Sequence, residues 1–210
     1  HIYNALMFLD VDQLCVSYPK RANPSVDRVT LGLHAGQMGV LIGSSGCGKT
    51  SLLRAVAGLE QASAGEIRLA QSVVSSANEH VAPEERQIGM VFQDFALFPH
   101  LTVHDNVSFG LNKQPPAQRE ARVREVLALV GLSTSSLRYP HELSGGQQQR
   151  VAVARALVSE PKIILCDEPT ASLDKDSLSV VMNELRNLAH SGKCVAVVTH
   201  DPRLKKYADR

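Results

Sequence analysis

The chain opens with two segments, residues 8–17 and 26–33, in which apolar and polar residues partly alternate. A period of two is typical of half-buried strands, so the two segments are predicted to form an antiparallel pair. The compact apolar run at 38–42 predicts a third strand. A loop rich in glycine and serine follows it and leads into residues 49–59, where apolar positions share one face of a predicted helix.

The next part of the chain keeps the pattern of strands. Short apolar segments at 66–69 and 88–92 predict two more strands. The serine-rich stretch 72–78 between them is predicted to be a turn or loop, because clusters of small polar residues favour turns. The first half of the chain is therefore predicted to be rich in β-structure.

Helical periodicity begins in the middle of the chain. Pro115 and Pro116 precede residues 117–130, where apolar residues recur at helical spacing, and Gly131 ends the run. Residues 102–139 are predicted to form a mostly helical insert. Helices are then predicted at 144–158 and 176–189, and strands at 162–166 and 194–199. Alternation of this kind predicts a parallel sheet in an α/β fold.

The composition narrows the class of protein. Lys and Arg number 22 against 21 for Asp and Glu, a net charge of +1, so no overall attraction to nucleic acid or an anionic membrane is predicted. No apolar run approaches the roughly 20 residues that span a bilayer, and no secretory signal is found, which predicts a soluble, cytoplasmic protein. The widely spaced cysteines predict reduced thiols, with neither a zinc site nor a disulfide framework.

The segment GSSGCGKT, residues 43–50, lies between a predicted strand and a predicted helix, as a phosphate-binding loop requires. Glycines let backbone N–H groups curl around phosphates, and the helix N-terminus adds a positive dipole. Lys49 would reach the β and γ phosphates, and Thr50 would offer its hydroxyl to Mg²⁺. A nucleoside triphosphate site is therefore predicted. Its binding residues are Gly43, Ser44, Ser45, Gly46, Cys47, Gly48, Lys49, Thr50 and Ser51.

Two carboxylates follow the apolar strand predicted at 162–166. Asp167 and Glu168 stand at its C-terminal end, where open parallel sheets place their ligand sites. Asp167 is predicted to hold Mg²⁺, and Glu168 to polarise the attacking water as a general base. An Asp-Glu pair after a strand is often only the start of a solvated loop, but the phosphate-binding loop upstream favours the functional reading.

Further motifs resemble those of one family. The segment LSGGQQQR at 143–150 resembles the signature motif of ABC ATPases, a sequence that other phosphate-loop families lack. Gln93, the Ser-Leu-Asp run at 172–174 and His200 match the Q-loop, D-loop and switch histidine of that family. Together with the phosphate-binding loop and the Asp167-Glu168 pair, six motifs stand in the family's order, and the resemblance covers residues 18–210.

The resemblance implies roles for individual residues. The segment from Ser144 to Gln147 would bind the γ-phosphate held by a partner subunit, and Ser144 is also predicted to be the N-cap of its helix. Tyr18 would stack on adenine, although a tyrosine that fills the edge of the core remains a competing reading. The implied set is catalytic Lys49, Gln93, Glu168 and His200; metal-binding Thr50, Gln93 and Asp167; and nucleotide-binding Tyr18, Gln93, Ser144, Gly145, Gly146, Gln147, Asp167 and Asp174, beside the phosphate-binding loop.

The resemblance also implies an architecture and its cofactors. The fold would be α/β, with a RecA-like P-loop NTPase core, an antiparallel β subdomain and an inserted α-helical subdomain. An ABC ATPase domain would span 7–210, with the core and β subdomain at 7–93 and 160–210 and the mainly helical subdomain at 94–159. The family normally adds strands after the switch histidine, so the domain is expected to be truncated at its C-terminal end. ATP and Mg²⁺ are the implied cofactors.

Partners follow from the same resemblance. A second nucleotide-binding subunit, in a homodimer, and transmembrane permease subunits are implied, with a solute-binding protein as an indirect partner and no nucleic acid. The implied location is peripheral, on the cytoplasmic face of the inner membrane. Residues 93–104 resemble the lever that carries nucleotide state to the permease. Candidate groove residues in this lever are Phe95, Leu97, Phe98 and Leu101, although packing of the helical insert is an alternative role for them.

The segments 83–111 and 143–174 look like those of prokaryotic import ATPases of the iron(III), polyamine, sulfate and sugar group, and iron(III) is the first expectation. ABC ATPases of DNA repair or chromosome organisation are an alternative of another class. They split their motifs with a long coiled coil or a zinc insert, whereas the interval from 50 to 144 here is short. A phosphate-loop kinase or GTPase is disfavoured by the signature motif.

Overall fold

The computed structural model of the protein describes residues 7–19, 22–171 and 173–210. Residues 1–6, for which no element is predicted, and Ser172 of the predicted D-loop lie outside the described residues. The strands are β1 (Met7–Val16), β2 (Val26–His34), β3 (Met38–Ile42), β4 (Ala64–Leu69), β5 (Ser72–Ser76), β6 (Ile88–Val91), β7 (Ile163–Asp167) and β8 (Cys194–Thr199). The α-helices are α1 (Lys49–Ala57), α2 (Val103–Ser108), α3 (Pro116–Leu129), α4 (Gly145–Leu157) and α5 (Lys175–His190).

One sheet is antiparallel, with the strand order β2-β1-β4-β5. β1 and β2 pair as predicted, from Met7 opposite His34 to Val16 opposite Val26. β1 buries alternate apolar residues such as Leu9 and Val11, as expected for a strand with one face on the core. The sheet thereby lies against α1, whose apolar residues belong to the same core cluster.

Residues 72–78 do not form the predicted turn or loop. Ser72–Ser76 form strand β5, which pairs with β4 between Glu66 opposite Ser76 and Leu69 opposite Ser72. Within it, Ser75 is fully buried, and its hydroxyl accepts a hydrogen bond from the Ala62 backbone N–H at 3.4 Å. Pairing with β4 and burial of one face therefore override the weak strand preference of serine.

The second sheet is parallel, with the strand order β3-β8-β7-β6, which confirms the α/β fold class. Every residue of β7 is buried. Its alternate side chains belong to two different core clusters, with Ile164 and Cys166 in one and Ile163 and Leu165 in the other. The carboxyl end of β7 delivers Asp167 to the edge of the sheet, next to the end of β8.

Helices α2, α3 and α4 lie between β6 and β7 in the sequence and pack on one another. Their buried side chains include Val107, Val123 and Ala154, which join the cluster that also contains α5 and one face of the parallel sheet. None of the helices in the described part of the chain is both long and apolar enough to cross a membrane.

The segment after β8 is a 3-10 helix, Pro202–Tyr207, whose Leu204 and Tyr207 are buried in the helical core cluster. Beyond it, the chain returns to the edge of the parallel sheet. The Met38 N–H donates to an Asp209 carboxylate oxygen at 2.9 Å, and the Asp209 N–H donates to the Met38 carbonyl at 2.8 Å. These contacts hold the last described residues alongside β3.

Candidate functional site

The loop between β3 and α1 depends on glycine for its shape. Gly48 has φ +97°, and a Cβ on it would lie 2.0 Å from the Ser25 carbonyl oxygen, so no L side chain fits. Gly46 has φ +80°, and a Cβ added to it would have no neighbouring atom within 4 Å. Both glycines line a cleft with backbone alone. A concave backbone at the start of a helix is the arrangement that receives phosphate oxygens.

Lys49, the first residue of α1, extends back over this loop. It is 8% exposed, and its Nζ donates to the Gly43 carbonyl at 2.8 Å and to the Ser44 carbonyl at 2.9 Å. A buried ammonium requires such acceptors, because desolvation of an unpaired charge is costly. The loop therefore holds one positive charge at the cradle formed by its own glycines.

Thr50 and Asp167 bring two oxygen ligands together beside Lys49. The Thr50 hydroxyl donates to Asp167 Oδ1 at 3.2 Å, although the two residues are far apart in sequence. Burial raises the pKa of the Asp167 carboxyl above its usual value, the hydrogen bond from Thr50 opposes this shift, and the charge of Glu168 adds to it. A hydroxyl beside a carboxylate is a donor set that fits Mg²⁺, which prefers oxygen ligands.

Glu168 is buried and is fixed by the end of β8. Thr199 Oγ1 donates to Glu168 Oε2 at 2.9 Å, and Glu168 Oε1 lies 2.9 Å from Nδ1 of His200. An ionised carboxylate only accepts hydrogen bonds, so this contact requires the proton of the imidazole to be on Nδ1. The carboxylate therefore has both oxygens oriented, as a general base needs.

A cleft of about 310 Å³ is lined by nine of the predicted site residues. Its lining comprises Ser25, Ser45, Gly46, Gly48, Lys49, Thr50, Ser51, Gln93, Glu168 and His200. Gln93 reaches it from the turn after β6. Residues of four predicted motifs, separated widely along the chain, are thus brought to one cleft at the carboxyl end of the parallel sheet, where such sheets bind ligands.

Tyr18 lies beside α1 and outside the lining of this cleft. Its hydroxyl donates to Ser51 Oγ at 3.1 Å, and its half-buried ring packs against the core cluster of the antiparallel sheet. The contact supports the reading of Tyr18 as a residue that fills the edge of the core. Stacking on adenine remains a prediction.

The segment from Ser144 to Gln147 stands apart from the cleft of its own chain. Ser144 is exposed and is the N-cap of α4, as predicted: its hydroxyl accepts from the Gln147 N–H at 3.3 Å, and its own N–H donates to the Gln147 side chain at 3.0 Å. Gly146 packs so closely on α5 that an added Cβ would lie 3.0 Å from the Ser177 hydroxyl. The start of α4 therefore lies outside the lining of the cleft that contains Lys49.

Asp174, assigned above to nucleotide binding, is the N-cap of α5. One carboxylate oxygen accepts from the N–H groups of Asp176 and Ser177, and the other accepts from the Ser177 hydroxyl at 2.9 Å. These hydrogen bonds lower the pKa of the Asp174 carboxyl. Helix capping thus accounts for its contacts within the chain, and nucleotide binding by Asp174 remains a prediction.

Thr199 and Ser25 belong to the site but were not predicted from the sequence. Thr199 ends β8 and is fully buried, and its hydroxyl fixes Glu168. Its position immediately before His200 is a signal that could have been used. A residue that ends a parallel strand lies at the same edge of the sheet as the residues that end the neighbouring strands, here Asp167 of β7. Ser25 has no comparable signal. It stands just before β2 and reaches the cleft because its backbone lies against Gly48 of the phosphate-binding loop.

The predicted lever at residues 93–104 borders a second, open groove of about 470 Å³. Phe98 and Phe109 line this groove, with ring centroids 4.6 Å apart. Phe95 and Leu97 instead pack against the helical core cluster. Of these candidate groove residues, Phe98 therefore lies at the surface groove, whereas Phe95 and Leu97 take the alternative, packing role.

Known proteins resemble this chain in sequence and in fold. The family model described as ABC transporter matches residues 26–171. The Fe(3+) ions import ATP-binding protein FbpC 2 of Haemophilus influenzae is 42% identical over 186 residues, which cover 87% of this chain and 52% of that protein. The sulfate/thiosulfate import ATP-binding protein CysA of Burkholderia mallei is 46% identical over 185 residues, which cover 84% of this chain and 51% of that protein.

A third relative, the putrescine transport ATP-binding protein PotG of Escherichia coli, is 44% identical over 196 residues, covering 92% of this chain and 50% of that protein. The chain thus spans about half the length of these curated relatives. Among solved structures, a dimeric post-hydrolysis state of the ATP-binding cassette MJ0796 bound to ADP and Pi has a TM-score of 0.84 at 31% identity, covering 96% of this chain and 91% of that one. The chain belongs to the ABC transporter family, as one of its ATP-binding cassettes.

Proposed function

We propose that this chain binds ATP with Mg²⁺ and hydrolyses it, as the nucleotide-hydrolysing subunit of an ABC importer. The arrangement of Glu168 carries the proposal. Thr199 and His200 hold its two carboxylate oxygens in the wall of the cleft that Lys49 and Thr50 also line. A fixed base, a buried ammonium and an oxygen pair suited to Mg²⁺ are the parts that phosphoryl transfer to water requires.

The residues of the phosphate-binding loop hold the nucleotide. Bound Mg²⁺ supplies positive charge that neutralises the phosphates. Thr50 and Asp167 would hold the ion through their side-chain oxygens, and Lys49 would exchange its two carbonyl partners for phosphate oxygens. The ammonium would then donate to charged phosphate oxygens in place of neutral carbonyl oxygens, so that both donor and acceptor carry charge, which strengthens each hydrogen bond.

Glu168 accepts a proton from the attacking water. Each of its oxygens has one hydrogen bond already and keeps lone-pair capacity for a second. His200 is 55% exposed in its side chain, so the imidazole reaches the cleft while its Nδ1 donates to Glu168.

Phosphate release from Mg·ATP by the purified chain tests the proposal. Lys49→Ala removes the ammonium and is expected to abolish hydrolysis. Glu168→Gln preserves size but cannot accept the proton, so hydrolysis should fall by about 10²–10⁴-fold while ATP binding persists. Binding is measured by titration with a fluorescent ATP analogue. Normal turnover by Lys49→Ala would refute the assignment of the cleft.

A second copy of the chain completes each nucleotide site. The exposed Ser144 and the N-terminus of α4 carry N–H donors suited to a γ-phosphate, and they lie away from the cleft of the same chain. A head-to-tail dimer brings this segment onto the nucleotide held by the partner. The dimeric state of the similar MJ0796 cassette supports this arrangement.

The groove beside the lever is the docking surface for a permease subunit. Its lining is mostly apolar and includes Phe98 and the half-exposed Phe109, and a permease helix would bury both rings. Phe98→Glu is expected to weaken assembly with the permease in detergent by about tenfold or more, which corresponds to one lost aromatic anchor. ATP binding should not change.

Val180→Glu on α5 is the matched control, because Val180 is 47% exposed and lies outside the groove. It adds the same charge at another apolar surface position. If both variants assemble as the unchanged chain does, the permease docks elsewhere.

The transported substrate proposed first is iron(III), with polyamine, sulfate or sugar as alternatives. The similar FbpC 2, CysA and PotG proteins carry names for iron, sulfate and putrescine respectively, so identity alone favours none of them. The location proposed is the inner face of the membrane, at the permease. Co-purification of the permease and its solute-binding protein, followed by equilibrium binding of iron(III), sulfate and putrescine to that protein, decides the substrate.

A further inference from the structure

The lever after Gln93 is attached to the helical region by two side chains. The first is Asn106 of α2, which is fully buried. Its Nδ2 donates to the carbonyls of Phe98, Leu101 and Thr102 at 3.0–3.1 Å, and its Oδ1 accepts from the Phe98 N–H at 2.8 Å. Every hydrogen bond of this amide therefore goes to the backbone of the lever's second half.

The second attachment is Arg155 of α4. Its guanidinium donates to the carbonyls of Phe95, at 2.9 Å, and Ala96. These two residues have φ of +61° and +48°, so consecutive L side chains stand in the left-handed region. Such strain persists only where the surroundings impose it. Burial lowers the pKa of Arg155, as expected for a guanidinium withdrawn from water to meet these carbonyls.

Gln93 lies on the turn that Arg155 fixes. The Phe95 N–H donates to the Phe92 carbonyl at 3.1 Å, which closes a turn with Gln93 and Asp94 at its corners. The chain upstream of the turn is anchored in β6, which belongs to the parallel sheet. Gln93 is thus separated by one residue from the backbone to which Arg155 donates.

Arg155 also lines the groove. Its guanidinium carbon lies 5.9 Å from the centroid of the Phe98 ring, and both residues belong to the groove lining. A chain docked in the groove would therefore press on the side chain that holds the turn of Gln93. The contact links the groove to the cleft through one residue.

We infer that Arg155 is a positioning residue for Gln93: its bonds to Phe95 and Ala96 set the place of Gln93 in the nucleotide cleft and make that place responsive to the groove. This inference rests on the proposed function and on the role at bound Mg·ATP that the family resemblance implies for Gln93. Arg155 does not line the cleft and acts through the turn alone.

Arg155→Met tests the inference, and Arg122→Met is its matched control. Arg122 of α3 makes the same kind of bond: it donates to the carbonyls of Leu157 and Val158 at 3.0 and 3.1 Å, at the C-terminal end of α4 rather than on the turn of Gln93. Two readouts are compared after thermal unfolding has shown that each variant is folded. One is hydrogen exchange of the amides at 92–98, and the other is kcat and KM for Mg·ATP.

Arg155→Met is expected to speed exchange at 92–98 and to lower kcat by about ten- to a hundredfold, as a displaced catalytic group does, with KM changed less than about twofold. Arg155→Lys, which restores one donor, should recover part of both effects. Arg122→Met should lower the unfolding temperature and leave both readouts unchanged.

Two outcomes overturn the inference. If exchange at 92–98 in Arg155→Met matches that in Arg122→Met, Arg155 does not fix the turn. If kcat and KM in Arg155→Met match those in Arg122→Met, Arg155 is merely structural. A chain with no hydrolysis in any form would refute the proposed function instead, while hydrogen exchange would still decide whether Arg155 holds the turn.

Discussion

Single residues at the cleft stand in backbone conformations that L side chains rarely adopt. Glu168 has φ +47°, which costs about 1–2 kcal/mol relative to an ordinary conformation. Its N–H donates to the Val198 carbonyl at 2.9 Å, while its carboxylate bonds to Thr199 and His200. The end of β8 therefore fixes both the backbone and the side chain of the proposed base.

Gly48→Ala is predicted to destabilise the chain and to abolish nucleotide binding. The new Cβ would lie 2.0 Å from a backbone oxygen of Ser25, at φ +97°, so either the loop or β2 must move. A loss of more than about 1 kcal/mol in the free energy of unfolding is expected from urea denaturation.

Gly46→Ala is the control for that prediction, because Gly46 has a similar φ of +80° with open space around it. It carries the backbone strain without the clash, and its loss should be clearly smaller. Equal losses in the two variants would show that the contact with Ser25 is unimportant.

The sequence predicted the residues whose role is set by their own motif. Lys49, Thr50 and Glu168 have a recognisable spacing, and the structure places all three at the cleft. Thr199 was missed because its role comes from the register of β8 against β7, which brings its hydroxyl to Glu168. Arg155 was missed because a contact between α4 and a loop some sixty residues earlier leaves no local pattern.

At the scale of elements, the periodicity of apolar residues predicted the helices whose buried face is set by their own sequence. The helix predicted at 117–130 is α3, Pro116–Leu129, and the predicted helix at 176–189 is α5, Lys175–His190. β5 could not be predicted in this way, since serine prefers turns and only the neighbouring β4 makes a strand of Ser72–Ser76. Strand identity there is a property of the sheet.

A histidine joins two elements of the helical region and should make its stability depend on pH. His104, in α2, bonds through Nε2 to Glu120 of α3 at 2.8 Å and through Nδ1 to Asp105 at 3.2 Å. Burial alone would lower the pKa of His104, but the hydrogen bonds and charges of Glu120 and Asp105 outweigh it and raise the pKa above 6.5. The protonated form is therefore favoured in the folded chain.

A raised pKa in the folded state contributes stability that is complete below the unfolded value of about 6.5 and is lost as pH rises through the folded value. The unfolding temperature is therefore predicted to fall from about pH 6.5 upward, by about 2–4 °C for each kcal/mol lost. Glu120→Gln should reduce this dependence. The exposed Glu84→Gln is the control, and equal pH profiles for the two variants would contradict the prediction.

At the scale of the whole molecule, the proposed dimer should form on ATP and disappear on hydrolysis. Glu168→Gln binds ATP but hydrolyses it slowly, so gel filtration of this variant with Mg·ATP at high protein concentration is expected to show a dimer. Adding Ser144→Arg places a bulky side chain at the start of α4, where the γ-phosphate of the partner would lie, and should leave only monomer.

The matched control adds Ser133→Arg to Glu168→Gln. Ser133 is also exposed and begins a 3-10 helix of the same helical region. The change in charge and size is identical, but the position is outside the signature segment. Loss of the dimer in both double variants would indicate a general effect of charge, and equal dimer in all three would show that Ser144 does not contact nucleotide in trans.

The alternation of side chains along β7 and β8 bears on how the chain loses its structure. Ile164 and Val195 serve the helical core cluster, and Leu165 and Val198 serve the cluster under the antiparallel sheet. Water cannot reach one cluster without breaking strands on which the other depends. The regions built around the two core clusters are therefore expected to unfold as one cooperative unit. A protease would then meet either the native chain or a wholly unfolded one.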